Sequence, residues 1–346
     1  MNKLQKINIG IILSIILIII TIFGVIYLNL YKPEIPQYHF DYNNLYYSEE
    51  NIEIYILPNQ KALDRVIEIL TDANKEIHCT LRSLNYEELE NTFIEKEKTT
   101  KVRLFINEDY MGNKNIYLPY VKFEDRNHDT NGMMHNNYCI IDQEIVIAGS
   151  IIFNENTIHS NVHDVIIIKS KDLAKEYNSD FWRLYNDQNF VEQQTPSYNE
   201  IQINDNTIIS PHFCPVENCE IVMDNEFSKS NSTIKAAVYL FTNNKMINTV
   251  KYKKDVEKKI IIEPYGLTRD SIVYEKIPGV KISHLVEKVH TKLITIDDNI
   301  SISGTMSPTY FGVNWNQENF LIIKNKNINK FYNELIDYLY QKTKPN

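Results

Sequence analysis

Apolar positions along the chain fall into short dense runs, separated by stretches in which they recur every three or four residues. The runs at 52–57, 76–81, 101–106 and 163–168 read as strands, and the amphipathic spacing at 62–73 and 173–185 reads as helices. The order then repeats, with strands at 232–241, 259–263 and 318–323 and a last helix at 331–340. Strands alternating with helices predict an α/β fold built from two mostly parallel sheets flanked by helices. A polar stretch with Gln193, Gln194 and Pro196 separates the two series. The pattern therefore predicts repeats at 46–190 and 206–346, joined by a connection at 191–205.

Upstream the pattern changes character. Residues 9–28 form an uncharged run dominated by Ile, and twenty residues at 1.5 Å each span roughly 30 Å, the thickness of a hydrocarbon core. No small-residue cleavage site follows, so the run is expected to be an uncleaved transmembrane signal anchor rather than a signal peptide. Lys3 and Lys6 place the tail 1–8 in the cytoplasm and the rest of the chain on the lumenal or extracellular side, after a linker at 29–45 that contains Pro33 and Pro36.

Composition narrows the functional classes. With 346 residues, 43% hydrophobic and 23% charged, the chain has ordinary globular content. Its net charge of −9 argues against broad non-specific coating of nucleic acid, which rests on many Lys and Arg contacts to phosphate. Of the four cysteines, Cys79 and Cys139 lie in apolar strand-like runs and are expected as buried thiols, whereas Cys214 and Cys219, five residues apart in a loop, are candidates for a short disulfide. No paired CxxC spacing points to zinc.

One stretch carries candidate chemistry. His290, Lys292 and Asp297 are followed by Gly304 and Thr305, and 155 residues upstream stand His135, Asn137, Asp142, Gly149 and Ser150 at the same spacings. The flanks stay in register as well, with Asp164 lying 29 residues after His135 and Glu318 lying 28 after His290. The other histidines, His78, His159, His163, His212 and His284, have no such counterpart and read as ordinary surface or loop residues.

The two stretches resemble the HKD signature of the phospholipase D superfamily, the second copy intact and the first departing from it at Asn137, where the family has Lys. The resemblance implies a duplicated phospholipase D-like fold with the active site at a pseudo-twofold interface. It also implies a phosphodiesterase that works through a phosphohistidine intermediate, without metal or cofactor. In that scheme His135 and His290 serve as nucleophile and general acid in an order the sequence leaves open, and Lys292 is the catalytic cation. Asp142 and Asp297 are the motif aspartates, structural or orienting. Ser150, Asn154, Thr305 and Ser307, with Asn137, would line the phosphate pocket, and Asp164 and Glu318 would hydrogen-bond the histidines and fix their tautomers. In composition and in its degenerate first motif the chain also resembles the phospholipase D-like proteins of poxviruses, which implies a viral protein at a host endomembrane or virion membrane. In its expected anchor it is similar to the type II membrane branch of the superfamily, which contains 5′ exonucleases. The implied substrate is accordingly a phospholipid or a single-stranded nucleic acid, and the alternative is a catalytically weakened, lipid-binding membrane protein that wraps a viral envelope.

Overall fold

The computed structural model describes residues 42–107, 118–123, 132–187 and 199–343. The expected anchor at 9–28 lies outside these residues. Among them, no helix is long and apolar enough to cross a membrane.

The two series of strands become two sheets of the same design. The first runs in the order Tyr46–Glu49, Ile52–Leu57, Asn161–Lys169, Ile145–Gly149, Asn137–Ile141, Glu76–Leu81, Lys101–Ile106, Val121–Phe123. The second runs Ile201–Asn204, Thr207–Cys214, Glu318–Lys324, Ile300–Gly304, Lys292–Ile296, Thr233–Val238, Glu257–Ile262, Val280–Ile282. The strand Ile201–Asn204 thus begins the second sheet inside the segment expected to be a connection.

The expectation of mostly parallel sheets is corrected. Along each of these orders the last three strands pair in parallel and the other neighbours are antiparallel, and the short strand Lys288–Val289 joins the first sheet by a further parallel pairing with Asn161–Lys169. The reason lies in the connections: each motif strand returns through a tight turn, and a tight turn can only join antiparallel neighbours. Helices intervene where the chain needs a crossover. The helix Glu87–Glu97 follows Glu76–Leu81 and leads into its parallel neighbour Lys101–Ile106, as Asn244–Tyr252 leads from Thr233–Val238 into Glu257–Ile262.

Asparagine starts many of the helices. Asn59, Asn243 and Asn325 accept from backbone N–H groups of Ala62, Met246 and Ile328, capping Gln60–Thr71, Asn244–Tyr252 and Lys326–Lys342. Apolar faces of these elements close a separate core in each repeat. One is centred on Leu63, Leu70, Ile77 and Phe93, and the other on Val222, Phe227, Ile260 and Ile294.

The long helices Lys171–Asp187 and Lys326–Lys342 tie the repeats together by an exchanged pair of contacts. The Tyr332 hydroxyl of the second repeat donates to Asp164 Oδ2 of the first at 2.8 Å, and Tyr177 of the first donates to Asn319 Oδ1 of the second at 3.3 Å. All four residues are fully buried, so each hydroxyl is satisfied only if the other repeat is in place.

The cysteine reading is corrected in part. Cys79 and Cys139 are bonded to one another across adjacent strands, where they sit directly opposite, and Cys214 is bonded to Cys219. Burial alone cannot distinguish a thiol from a half-cystine, because the cross-strand register is not visible in either run separately.

Candidate functional site

The motif strands Asn137–Ile141 and Lys292–Ile296 are central in their sheets, and their N-terminal ends meet at the junction of the repeats. Two short parallel contacts fix that junction. Lys288–Val289 pairs with Asn161–Val162, and Met134 bridges Gln317. As a result the His135 N–H donates to the Gln317 carbonyl at 2.9 Å and the His290 N–H to the Val162 carbonyl at 3.1 Å. Each histidine is held by the strand of the other repeat.

The motif aspartates are elsewhere. Asp142 and Asp297 close the turns at the opposite ends of these five-residue strands, about 16 Å from the histidine ends at 3.3 Å per residue. Their φ values are 54° and 53°, and their carboxylates accept backbone N–H groups of Asn74, Lys75 and Glu76, and of Asn231, Ser232 and Thr233. Partial burial alone would raise both carboxyls, but these donors hold them below the usual carboxylate range. Of the two roles open in the sequence, the geometry supports the structural one. The motif glycines have a similar purpose: a Cβ on Gly149 would stand 2.5 Å from the Asp164 carbonyl oxygen, and on Gly304 2.3 Å from that of Asn319.

Around His135 the arrangement is that of an oriented base. Its Nδ1 lies 2.8 Å from Glu318 Oε2, a carboxylate 2% exposed whose other oxygen accepts from Asn316 at 3.0 Å. Its Nε2 meets the guanidinium of Arg82. The carboxylate accepts the Nδ1 hydrogen, so the lone pair is on Nε2, where it faces the Arg82 guanidinium. Burial holds the imidazole below its usual range despite Glu318, and Arg82 and Lys292 add to that. Asn137 is buried, with Oδ1 accepting from the Arg82 backbone N–H at 3.0 Å and Nδ2 donating to the His135 carbonyl.

His290 is held differently. Lys292, 3% exposed, donates from Nζ to His290 Nδ1 at 2.9 Å and to the His290 carbonyl at 2.8 Å. The rings of His163 and Tyr239 lie 4.9 Å and 4.8 Å from it. Burial, then Lys292 and the neighbouring histidines, push His290 well below its usual range, and burial takes Lys292 down to about 7.

The expected pairing of Asp164 with a histidine is corrected. Asp164 Oδ1 accepts from the Ser150 hydroxyl at 2.6 Å, and Oδ2 accepts from Ser303 at 2.5 Å and from Tyr332. The strand registers show the cause. His163 lies opposite Leu57 as Glu318 lies opposite Cys214, so His163 is the counterpart of Glu318, and Asp164 is the counterpart of Asn319. Reading the acids at spacings of 29 and 28 slips the strand by one residue, which turns the side chain to the other face. His163 is accordingly no loop residue: it is fully buried, neither ring nitrogen has a hydrogen-bond partner among the described residues, and burial pushes it down to about 3. His78 and His212 are buried as well, whereas His159 and His284 are exposed.

Ser150 and Thr305 bond Asp164 and Asn319 in the neighbouring strands, and Asn154 caps the short helix Glu155–Ile158. A cavity of about 830 Å³ instead brings together Arg82, His135, His290, Lys292, Ser307 and Glu318. Asn316 and Tyr239 also line it, and Tyr310 and Phe311, both more than half exposed, stand at its mouth. Sequence reasoning missed Arg82, Tyr239 and His163. An unbroken 155-residue offset from Glu318 points to His163, whereas Arg82 and Tyr239 become visible only through strand pairing. Chemically the cavity offers a nucleophilic imidazole, a second imidazole able to move a proton, and two cations for an anionic group.

A family model for the cardiolipin synthase, phospholipase D-like domain matches residues 39–185 and 223–340, that is, both repeats. No curated protein sequence matches the chain. Among solved structures, phosphatidylserine synthase of Haemophilus influenzae Rd KW20 superposes with a TM-score of 0.64 at 14% identity, over 88% of this chain and 90% of that one. Polyphosphate kinase of Porphyromonas gingivalis gives 0.56 at 10% identity, over 84% of this chain and 50% of that one. At such identities the likeness is one of fold. Because the family model covers both repeats and most of the chain, the chain belongs to the phospholipase D-like family.

Proposed function

We propose that the chain is a phosphodiesterase that cleaves phospholipids through a phosphohistidine on His135. The observation that carries this reading is the buried Glu318 carboxylate on His135 Nδ1, which frees Nε2 in the same cavity as His290 and Lys292. His135 Nε2 attacks phosphorus, and the P–O bond to the leaving alcohol breaks as His290 gives that oxygen a proton. An anionic phosphate offsets the cations around His290 and raises its pKa, so the imidazolium forms when substrate is bound. Water then attacks the phosphohistidine, with His290 taking back a proton, and His135 is released.

Two features support a lipid over a nucleic acid strand. The exposed rings of Tyr310 and Phe311 at the mouth suit a lipid–water interface. Away from the histidines, the lining contains Glu220, Asp270 and Lys245, the last 3.8 Å from Glu220, so it has no surplus of cations for further phosphates of a strand. An anchor at 9–28 would tether the chain to a membrane, and the two disulfides favour a lumenal or extracellular position. The test is to supply the full chain in liposomes with phosphatidylcholine or phosphatidylglycerol, and separately with a single-stranded oligonucleotide. Headgroup release that disappears in His135→Ala is expected. Cleavage of the oligonucleotide alone would reassign the substrate, and inactivity of a well-folded chain on both would favour a lipid-binding protein.

A further inference from the structure

The departure at Asn137 leaves the first motif without its cation, yet each half of the site still holds one. Strand register aligns them: Leu81 pairs with Asn137 and Val238 with Lys292, so Arg82 and Tyr239 are counterpart residues at the ends of Glu76–Leu81 and Thr233–Val238. One half holds a neutral amide at the motif position and a guanidinium on the adjacent strand. The other half holds an ammonium at the motif position and a neutral phenol on the adjacent strand. Each half therefore holds one cation and one neutral side chain, with the places exchanged between neighbouring strands, and it is Arg82 rather than Asn137 that lines the cavity.

We propose that Arg82 takes the place of the missing motif lysine and binds a non-bridging oxygen of the phosphoryl group. Its guanidinium already meets His135 Nε2, the atom that would approach phosphorus, and it lines the cavity with Lys292. Asn137 assists by accepting the Arg82 backbone N–H, which fixes the strand end that carries the guanidinium. The guanidinium covers the Nε2 lone pair, and an arriving phosphate draws it onto oxygen and uncovers the nucleophile. Arg82 neither gives nor takes a proton: a forming N–P bond replaces a breaking P–O bond, and charge grows on oxygens that Arg82 and Lys292 face together.

The rate consequence rests on the phosphodiesterase reading, but phosphate binding does not. Calorimetric titration of the full chain in detergent with inorganic phosphate is expected to show an affinity weakened about 10- to 100-fold in Arg82→Ala, the range of one charge-assisted contact. The double variant Arg82→Ala with Asn137→Lys, which moves the cation back to the motif position, is expected to recover phosphate affinity and kcat/KM together. Should Arg82→Ala lose its cooperative melt, Arg82→Gln, which keeps a donor without charge, replaces it and must show the same loss and the same recovery. Phosphate affinity unchanged within about twofold in a folded variant, or no recovery with the lysine, overturns the proposal. If native protein binds phosphate through Arg82 but cleaves no phosphodiester, the functional reading fails and this assignment stands; activity indifferent to Arg82 gives the reverse.

Discussion

Replacing Glu318 by Gln removes one charge and almost no volume. In the resting site the carboxylate faces a neutral imidazole, and its full Coulombic effect appears only when attack on phosphorus makes the ring cationic. At the observed 2.8 Å and an effective dielectric constant of about 20, that attraction is at most about 6 kcal/mol. A hydrogen bond to a charged group contributes about 1.5–3 kcal/mol net, which corresponds to a loss of roughly 10- to 150-fold in the phosphorylation rate. If the amide turns its NH₂ toward Nδ1 the tautomer inverts and the loss grows. The assay is single-turnover headgroup release by the full chain in liposomes, followed across pH. His135 attacks only when unprotonated, so activity falls as pH drops through its pKa. Burial already sets that value below the usual 6.5, and Glu318 opposes the shift, so the acid limb should move lower still in Glu318→Gln. A variant within twofold of native, or an acid limb displaced upward, would refute the assignment of Glu318 as the residue that orients and charges the nucleophile.

Three further expectations follow from the same geometry. Lys292 must be protonated to act as a cation and burial brings it to about 7, so binding of a non-hydrolysable phosphonate diester should weaken as pH rises through about 7, and Lys292→Arg, which stays protonated, should remove that dependence. Tyr332→Phe takes a donor from buried Asp164 and should cost about 1–2 kcal/mol in denaturant unfolding, while kcat stays within a fewfold if Asp164 is structural. The half-cystines of Cys79–Cys139 are 60 residues apart and those of Cys214–Cys219 only 5, so loop entropy assigns about 4 and about 2 kcal/mol respectively; paired Ser substitutions should lower the melting temperature more at the first bridge.

Much of the fold is legible in the sequence because its strands are short apolar runs whose order repeats. Glu76–Leu81 and Lys101–Ile106 match the expected limits, and His135 and His290 do reach one cavity. What was not legible depends on register between strands distant in the chain. Sheet direction follows from turns, which apolar runs do not display. The Cys79–Cys139 bond and the equivalence of Arg82 and Tyr239 in the two repeats require knowing which residue faces which, whereas His163 needed only the 155-residue offset to be kept unbroken. A missing lysine likewise cannot announce that its charge has moved to the end of the next strand.

In the proposed reaction His135 Nε2 forms the covalent bond to phosphorus and carries the phosphatidyl group once the headgroup has left. Rapid alkaline quenching of the full chain during turnover of phospholipid, followed by peptide mass spectrometry, tests it directly. A phosphatidyl adduct, the lipid phosphate less its headgroup, is expected on the peptide containing His135 and is expected to be absent in His135→Ala. An adduct on His290 instead, or turnover with no adduct on either histidine, would contradict it.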